Sequence, residues 1–397
     1  MRIGISTSVI QRGRTGIAQY LFALLRAMQP QAAKHHFVLF VLRQDLPLFD
    51  FAKDCMELVP VPERMRPPAN NVFWHQIALP RLARRHRLDV LHVPSYRRLL
   101  WPKPCALAGT IHDLAPFRVP NKYDWKRMFY GRVIARQLAR RQDALIAVSH
   151  STARDIISFF RLAPERITVI PNGVDHTRFF PAGNALDGGE ATGAHSLRRP
   201  FFLYVARLEH PGKNHLRLVA AFEKFKASTG SDWQLVLGGS DWHGAEVIHA
   251  RIAQSPFAAD IRCLGFVRDA ELPDWYRAAG VFVYPSLYEG FGMPPLEAMA
   301  CGCPVISSTR GSLGEVVGDA GALVDPEDTD SIAGHLSFLA TDSAARARLR
   351  CAGLARARKF DWTRAALETM EVYRRAVASR VGQPQPAAAQ SGCEDAL

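Results

Sequence analysis

The chain has 397 residues, of which 48% are hydrophobic and 22% charged, and its formal net charge is +13. This composition supports buried cores and excludes a disordered chain, and at ~100–200 residues per domain the length suits two domains. No apolar run reaches the ~18–20 residues that span a bilayer, and seven cysteines without a Cys-x-x-Cys pair argue against a disulfide scaffold or a zinc site.

Met1 to Ile10 is a short apolar strand pattern. It lacks the basic stretch, hydrophobic run and small-residue cleavage site of a secretory signal, so a cytoplasmic location is expected. Further strands are predicted at Phe37–Leu42, Val90–His92, Cys105–Ile111, Ala144–Val148 and Ile167–Ile170. Between them, Ile17–Met28, Trp125–Gln142 and Ser151–Phe160 have helical spacing. Such alternation predicts a parallel sheet covered on both faces. Pro181 to Pro200 is rich in glycine, alanine and polar residues without periodicity, and reads as a linker.

The alternation then restarts, with strands at Phe201–Ala206, Gln234–Gly238, Ile261–Leu264, Val281–Pro285, Pro304–Ser307 and Gly321–Val324. Helices fit Asn214–Ala227, Leu272–Ala279, Pro294–Ala300, Asp330–Leu339 and Ala344–Phe360, and a last one runs from about Trp362 to Ala378. The expected organisation is a doubly wound α/β domain over 1–180, a linker over 181–200 and a second such domain over 201–360. A helix over 361–380 would pack back toward the first domain, followed by a flexible tail over 381–397. Ligands of such sheets bind at the C-terminal strand edges, where loops enter helix N-termini.

Charge is uneven: residues 1–180 carry 28 Lys and Arg against 12 Asp and Glu, a net of +16, while the remainder nets −3. A basic half suits a nucleic acid, an anionic membrane or a phosphate-bearing substrate, and an arginine-rich composition alone would also produce it. With no zinc spacing or RNA-binding signature, no nucleic-acid partner is expected.

The segment from Tyr284 to Val305 is the most specific. A buried strand ends at Pro285, and a loop with Gly290 and Gly292 follows. Pro294 and Pro295 then suit the first turn of a helix. The two glycines let backbone approach an anion, and the helix start adds free N–H groups, an arrangement fit for a diphosphate. Glu289 and Glu297 stand at opposite ends of the loop with seven residues between them. Glu297 is expected in the first helical turn, where a carboxylate is favourable; alternatively it accepts hydrogen bonds from two ribose hydroxyls. In a second segment, Arg207 and Lys213 follow a strand and precede a helix, two cations able to neutralise a departing diphosphate. His112 ends an apolar strand of the first half, where a histidine serves either structure or chemistry. Gly16 opens a helix after the loop carrying Arg14 and could present its N–H to phosphate.

The Glu289–Glu297 pair resembles the E-x7-E signature of the family 4 (group 1) retaining glycosyltransferases, which have the GT-B fold. Arg207 to Asn214 resembles that family's G-R-x5-K-N segment, with Ala206 where glycine is usual. The stretches Thr110–Leu114, Ala147–Ser149, Ile170–Asp175, Leu264–Val267 and Ser312–Gly321 follow the family in order, so the likeness covers roughly residues 1–375. It implies that Glu297 binds the donor ribose and that Glu289 lies by the sugar hydroxyls, with backbone amides of Phe291 and Gly292 nearby. It also implies that Gly265 to Val267 edge the base, that His112 contacts the transferred sugar or supports the reacting centre, and that Asp113 orients a loop or the ring.

The Gly16 to Tyr20 loop and the Gly311–Glu315 segment look like bacterial mannosyltransferases of polysaccharide assembly, which implies GDP-mannose as donor and a glycan or polyprenyl-linked acceptor. Tyr20 is also explained by packing alone. No cofactor is expected. Asp328-Thr329-Asp330 has the D-x-D form of metal-dependent transferases, but it precedes a helix where Asp330 or Thr329 suits an N-cap. With Arg207 and Lys213 available, no metal is expected either. Other readings are a UDP-sugar transferase, a sugar-nucleotide epimerase or phosphorylase on the same fold, and a donor-binding module without catalysis. Basic residues around Trp125–Arg141, with Arg81, Arg84, Arg85 and Arg87, predict peripheral contact with an anionic inner membrane, with Met128, Phe129, Ile134 and Leu138 largely on one side of the helix.

Overall fold

The computed structural model describes residues 1–13, 15–96, 103–119, 128–181 and 197–381. Arg14, Lys126, Arg127, most of the linker and the tail lie outside the described residues.

Seven parallel strands form the first sheet: β1 (Arg2–Ser6), β2 (His36–Leu42), β3 (Glu57–Val61), β4 (Val90–Val93), β5 (Ala106–Ile111), β6 (Ala144–Ala147) and β7 (Ile167–Val169). Their order is β3-β2-β1-β4-β5-β6-β7. Six more form the second: β8 (Phe201–Val205), β9 (Gln234–Gly238), β10 (Ile261–Gly265), β11 (Val281–Tyr284), β12 (Val305–Ser308) and β13 (Ala322–Val324), in the order β10-β9-β8-β11-β12-β13. Every residue of β4, β5, β9, β11 and β12 is buried, as helices on both faces demand. Strand order reverses between β1 and β4 and between β8 and β11, and such switch points open a crevice at the C-terminal strand edge.

β3 was not expected from the sequence, because Pro60 interrupts its apolar run. It is tolerated there because β3 is the sheet edge and pairs only with β2. The expected Trp125–Gln142 helix is not uniform. It is π-wound over Tyr130–Ala135 before continuing as Arg136–Arg140. Its inward residues are the small Gly131, Ala135 and Ala139. Phe129 and Ile134 therefore point outward with Val133, while Leu138 packs against the first core, so the expected single apolar side is split.

Val174 and Phe179 already belong to the core of the second domain. The final helix, Trp362–Val381, crosses back onto helix Gly16–Met28 and strands β4–β6. Trp362, Ala366, Met370 and Tyr373 recur at helical spacing and are buried with Ile3, Tyr20 and Leu24. Among the described residues, no helix is long and apolar enough to cross a membrane.

Candidate functional site

β8 and β11 are neighbours, so the loops that follow them open at the same edge. Tyr204 and Tyr284 stack near those ends with ring centroids 5.3 Å apart. From the β8 side, Lys213 donates from Nζ to Glu289 Oε1 at 2.5 Å and to the Tyr284 hydroxyl at 3.1 Å. The Ser286 and Tyr284 hydroxyls donate to the same carboxylate oxygen at 2.7 and 3.1 Å. Burial is the largest single influence on the Lys213 ammonium and works against it, but the charge and hydrogen bond of Glu289, with Tyr204 and Glu209, together outweigh it and hold the lysine above its ordinary value. The loop is anchored from behind: Ser312 donates from its amide and hydroxyl to the Glu289 carbonyl at 3.1 and 3.0 Å.

Arg207 stands apart from this group. Its guanidinium lies 4.6 Å over the Trp242 ring and 3.3 Å from Glu209, and it is substantially exposed.

Gly292, at φ 102°, is the N-cap of helix Met293–Ala300, and a side chain there would collide with Leu313. Pro294 and Pro295 occupy the first turn, as expected. Glu297 does not: it is the fifth helical residue, just past the first turn, and the helix has no acid in its first turn. It is therefore beyond the reach of the free N-terminal amides. Its Oε2 accepts from the Tyr276 hydroxyl at 3.0 Å, and burial pushes the carboxyl up to about 7 against the opposing effect of that bond. Phe291 is buried, with its ring edge-on to Phe360 at 5.8 Å. Gly290 faces the first domain. Its α-carbon abuts the His112 carbonyl, from which an added Cβ would be only 1.7 Å away.

On the first-domain side, His112 follows the end of β5 with the Tyr20 ring edge-on at 4.5 Å. Burial lowers its imidazole to about 4, so the ring is neutral near pH 7. Its Nε2 is buried and has no partner among the described residues. Tyr20 does more than fill space, since its hydroxyl meets Thr110 at 3.1 Å. Thr110 in turn meets His92 at 2.8 Å, and His92 meets the Tyr373 hydroxyl at 2.7 Å. Asp113 accepts from the Ala115 amide at 2.9 Å and so orients the following turn. Gly16 is the first, exposed residue of its helix, which Thr15 caps through the Ala18 amide at 3.2 Å.

Val267 follows Gly265, whose φ is 67°, and rests against the second core. Two residues on, Asp269 accepts from Gln19 at 2.7 Å, which ties this loop to the opposite side of the cleft, and its carbonyl accepts from Arg178. In the D-x-D segment the helix cap is Asp328 rather than Thr329 or Asp330. Asp328 accepts from the Asp330 and Ser331 amides, both at 2.9 Å, while Asp330 pairs with Lys224.

The structure thus joins Lys213 to Glu289 and backs Gly290 against His112, while Arg207 lies to one side. Tyr284 and Ser286 were legible as motif residues but not as donors to Glu289. Tyr276 and Asp269 carried no sequence signal, and Gln19 was legible only as part of the Gly16 to Tyr20 loop, because their partners come from distant elements. Chemically, the site combines a cation–carboxylate pair, a helix start and a neutral imidazole with an unpartnered nitrogen. That combination suits a polyhydroxyl ligand with an anionic tail.

Comparison with known proteins agrees. The model described as glycosyl transferases group 1 matches residues 191–356, and that of Glycosyltransferase Family 4 matches residues 14–178. An O-antigen chain mannosyltransferase B of Escherichia coli is 32% identical over 271 residues, covering 67% of this chain and 69% of that protein. The serotype-specific mannosyltransferase WbdA of the same species is 31% identical over 273 residues, covering 68% of this chain but 33% of that longer protein. A sucrose-phosphate synthase from Thermosynechococcus elongatus superposes with a TM-score of 0.76 at 21% identity, over 96% of this chain and 100% of the other. Anabaena HepE, in complex with UDP and glucose, superposes with a TM-score of 0.72 at 19% identity, over 94% and 99%. The two structures share the fold, and the sequence matches carry the family: the chain belongs to the family 4, group 1 glycosyltransferases, with two Rossmann-like halves in the GT-B arrangement.

Proposed function

We propose that this glycosyltransferase moves mannose from GDP-mannose to a glycan or polyprenyl-linked acceptor of bacterial surface polysaccharide, with retention and without a metal ion. The observation that carries the reading is the Lys213–Glu289 contact beside the start of helix Met293–Ala300. The nucleotide docks on the second domain, with Glu297 on the ribose and Val267 by the base. Lys213, Arg207, the amides of Phe291 and Gly292, and Gly16 across the cleft receive the diphosphate. As the bond between anomeric carbon and phosphate oxygen breaks, the acceptor hydroxyl attacks the same face and its proton passes to that oxygen. Three donors on one Glu289 oxygen suit a fixed carboxylate that orients sugar hydroxyls, and the scheme needs no side-chain nucleophile. His112 Nε2 accepts a hydrogen bond from the sugar. Metal independence is supported by the cations and by the engagement of Asp328 and Asp330 elsewhere.

Mannose is supported by the relatives named as mannosyltransferases. Thermal-shift screening against GDP, UDP and ADP, followed by NMR of the product anomer, tests the reading. Greater stabilisation by GDP and an α-mannoside product are expected. Greater stabilisation by UDP would favour a UDP-sugar enzyme, and an inverted product would exclude retention.

A second observation favours a membrane partner. Phe129, Val133 and Ile134 are exposed by 55%, 45% and 42% on the helix that also carries Arg136 and Arg140. A basic rim around outward apolar side chains suits an anionic lipid surface, where a polyprenyl-linked acceptor resides.

A further inference from the structure

Helix His150–Phe160 starts just after β6 in the first domain, and its first turn is completed by the second domain. The amides of His150 and Ser151 donate to the two carboxylate oxygens of Glu315 at 2.9 and 3.1 Å. The Thr152 amide donates to the N-cap Ser149 at 3.0 Å. The hydroxyls of Ser149 and Thr152 reach the Gly290 carbonyl at 2.7 and 3.0 Å. Along the same helix, Asp155 accepts from the Tyr288 hydroxyl at 2.6 Å. Separating the domains would strip two N-terminal amides of their acceptor and expose both hydroxyls to water.

Seen from the second domain, the same contacts hold the peptide that carries Glu289. Gly290 has its carbonyl on the hydroxyl pair and its α-carbon against the His112 backbone. Only glycine permits that approach. Ser312, one turn before Glu315, holds the Glu289 carbonyl from behind. The Glu289 backbone is therefore fixed between its own domain and the strand end that carries His112.

We infer that Ser149, Thr152 and Glu315 are positioning residues that set Glu289 and His112 in one register across the closed cleft. The inference rests on the reading that these two side chains flank the donor sugar. Groups so placed lose roughly a hundred-fold in rate for a displacement of about 1 Å.

Thr152→Val is the primary variant, because it keeps the branched side chain and the backbone amide and removes only the hydroxyl. Thr152→Ser restores the hydroxyl, and Glu315→Ala removes the cross-domain cap. Steady-state kinetics, GDP affinity and amide hydrogen exchange are measured on the full chain, with His112→Ala and Glu289→Gln in parallel. Thr152→Val and Glu315→Ala should lower kcat by roughly ten- to hundred-fold with GDP affinity within about two-fold of wild type. Thr152→Ser should recover most of kcat, and Glu315→Ala should speed exchange at His150 and Ser151. If Thr152→Val retains wild-type kcat while the His112 and Glu289 variants are inactive, the positioning inference is overturned and the site reading stands. If all of them retain activity, both fall. A Thr152→Ser enzyme as slow as Thr152→Val, or GDP affinity falling in step with kcat, would also overturn the inference, since a packing defect predicts either.

Discussion

Lys213 Nζ and Glu289 Oε1 stand 2.5 Å apart across 76 positions of sequence, because β8 and β11 are adjacent and deliver their loops to one edge. In the proposed reaction the lysine brings positive charge to the departing diphosphate, and Glu289, with Tyr204 and Glu209, holds its ammonium above the ordinary value against burial. Removing the ammonium should therefore act on the reaction more than on the fold. Lys213→Ala should lower kcat/KM by about 2–4 kcal/mol of transition-state stabilisation, and Glu297→Ala should have a comparable effect through the ribose. Kinetics on variants with native circular dichroism check this; a folded variant with wild-type kcat/KM removes that residue from the site.

The raised carboxyl of Glu297 should make nucleotide binding depend on pH. Burial pushes the group up to about 7 from the ordinary carboxylate value of 4.5. On the proposed reading ribose hydroxyls donate to the ionised form, so GDP affinity should fall as pH drops through 7, by about ten-fold between pH 8 and pH 6. The sign for stability is opposite. The contribution of Glu297 to the nucleotide-free fold is full below the ordinary value and is lost as pH rises through about 7. Calorimetry of wild type and Glu297→Gln from pH 5 to 8 checks both, and the glutamine variant should lack both dependences.

Activity should persist in excess EDTA, because in the proposed mechanism Lys213 and Arg207 supply the positive charge that a divalent ion otherwise brings to a diphosphate. The assay is donor consumption with and without chelator. Complete loss, rescued by Mg²⁺ or Mn²⁺, would show that a metal carries the leaving-group charge.

The face bearing Phe129, Val133 and Ile134 should bind anionic vesicles more than neutral ones, and salt should weaken the binding. Near such a surface each basic residue contributes about 1 kcal/mol. Reversing Arg136, Arg140 and Arg141 to glutamate should release the protein, and so should replacing the three apolar residues with serine. Co-sedimentation decides, and equal recovery in the supernatant with both lipid types at low salt argues for a soluble acceptor.

The alternation of strands and helices was readable because β-strands buried on both faces, such as Gln234–Gly238, have to be continuous apolar runs. Glu289, Glu297, Arg207 and Lys213 were readable because each lies within a loop or helix that directly follows a strand. Local details were harder to read. Pro60 concealed β3, since a proline is harmless only at an edge and no local signal marks an edge. Asp328 became the helix cap instead of Thr329 or Asp330 because it alone holds extended backbone while reaching two amides. Glu297 falls at the fifth helical position, just past the first turn, because the helix begins at Met293, one residue before the expected Pro294.

By itself, then, the sequence determined two doubly wound domains and the identity of the charged groups at their edges, because periodicity and loop chemistry act over a few residues. Tertiary structure decided which of those groups meet. It set Lys213 on Glu289 while leaving Arg207 over Trp242, and it converted Gly290 from an expected anion-facing residue into one of the contact points between the domains. It also assigned Glu315 to the start of a helix 164 residues away. Strand order brings Lys213 to Glu289, and the docking of one domain on the other makes the Gly290 and Glu315 contacts; both depend on the packing of whole sheets, which no local pattern of residues encodes.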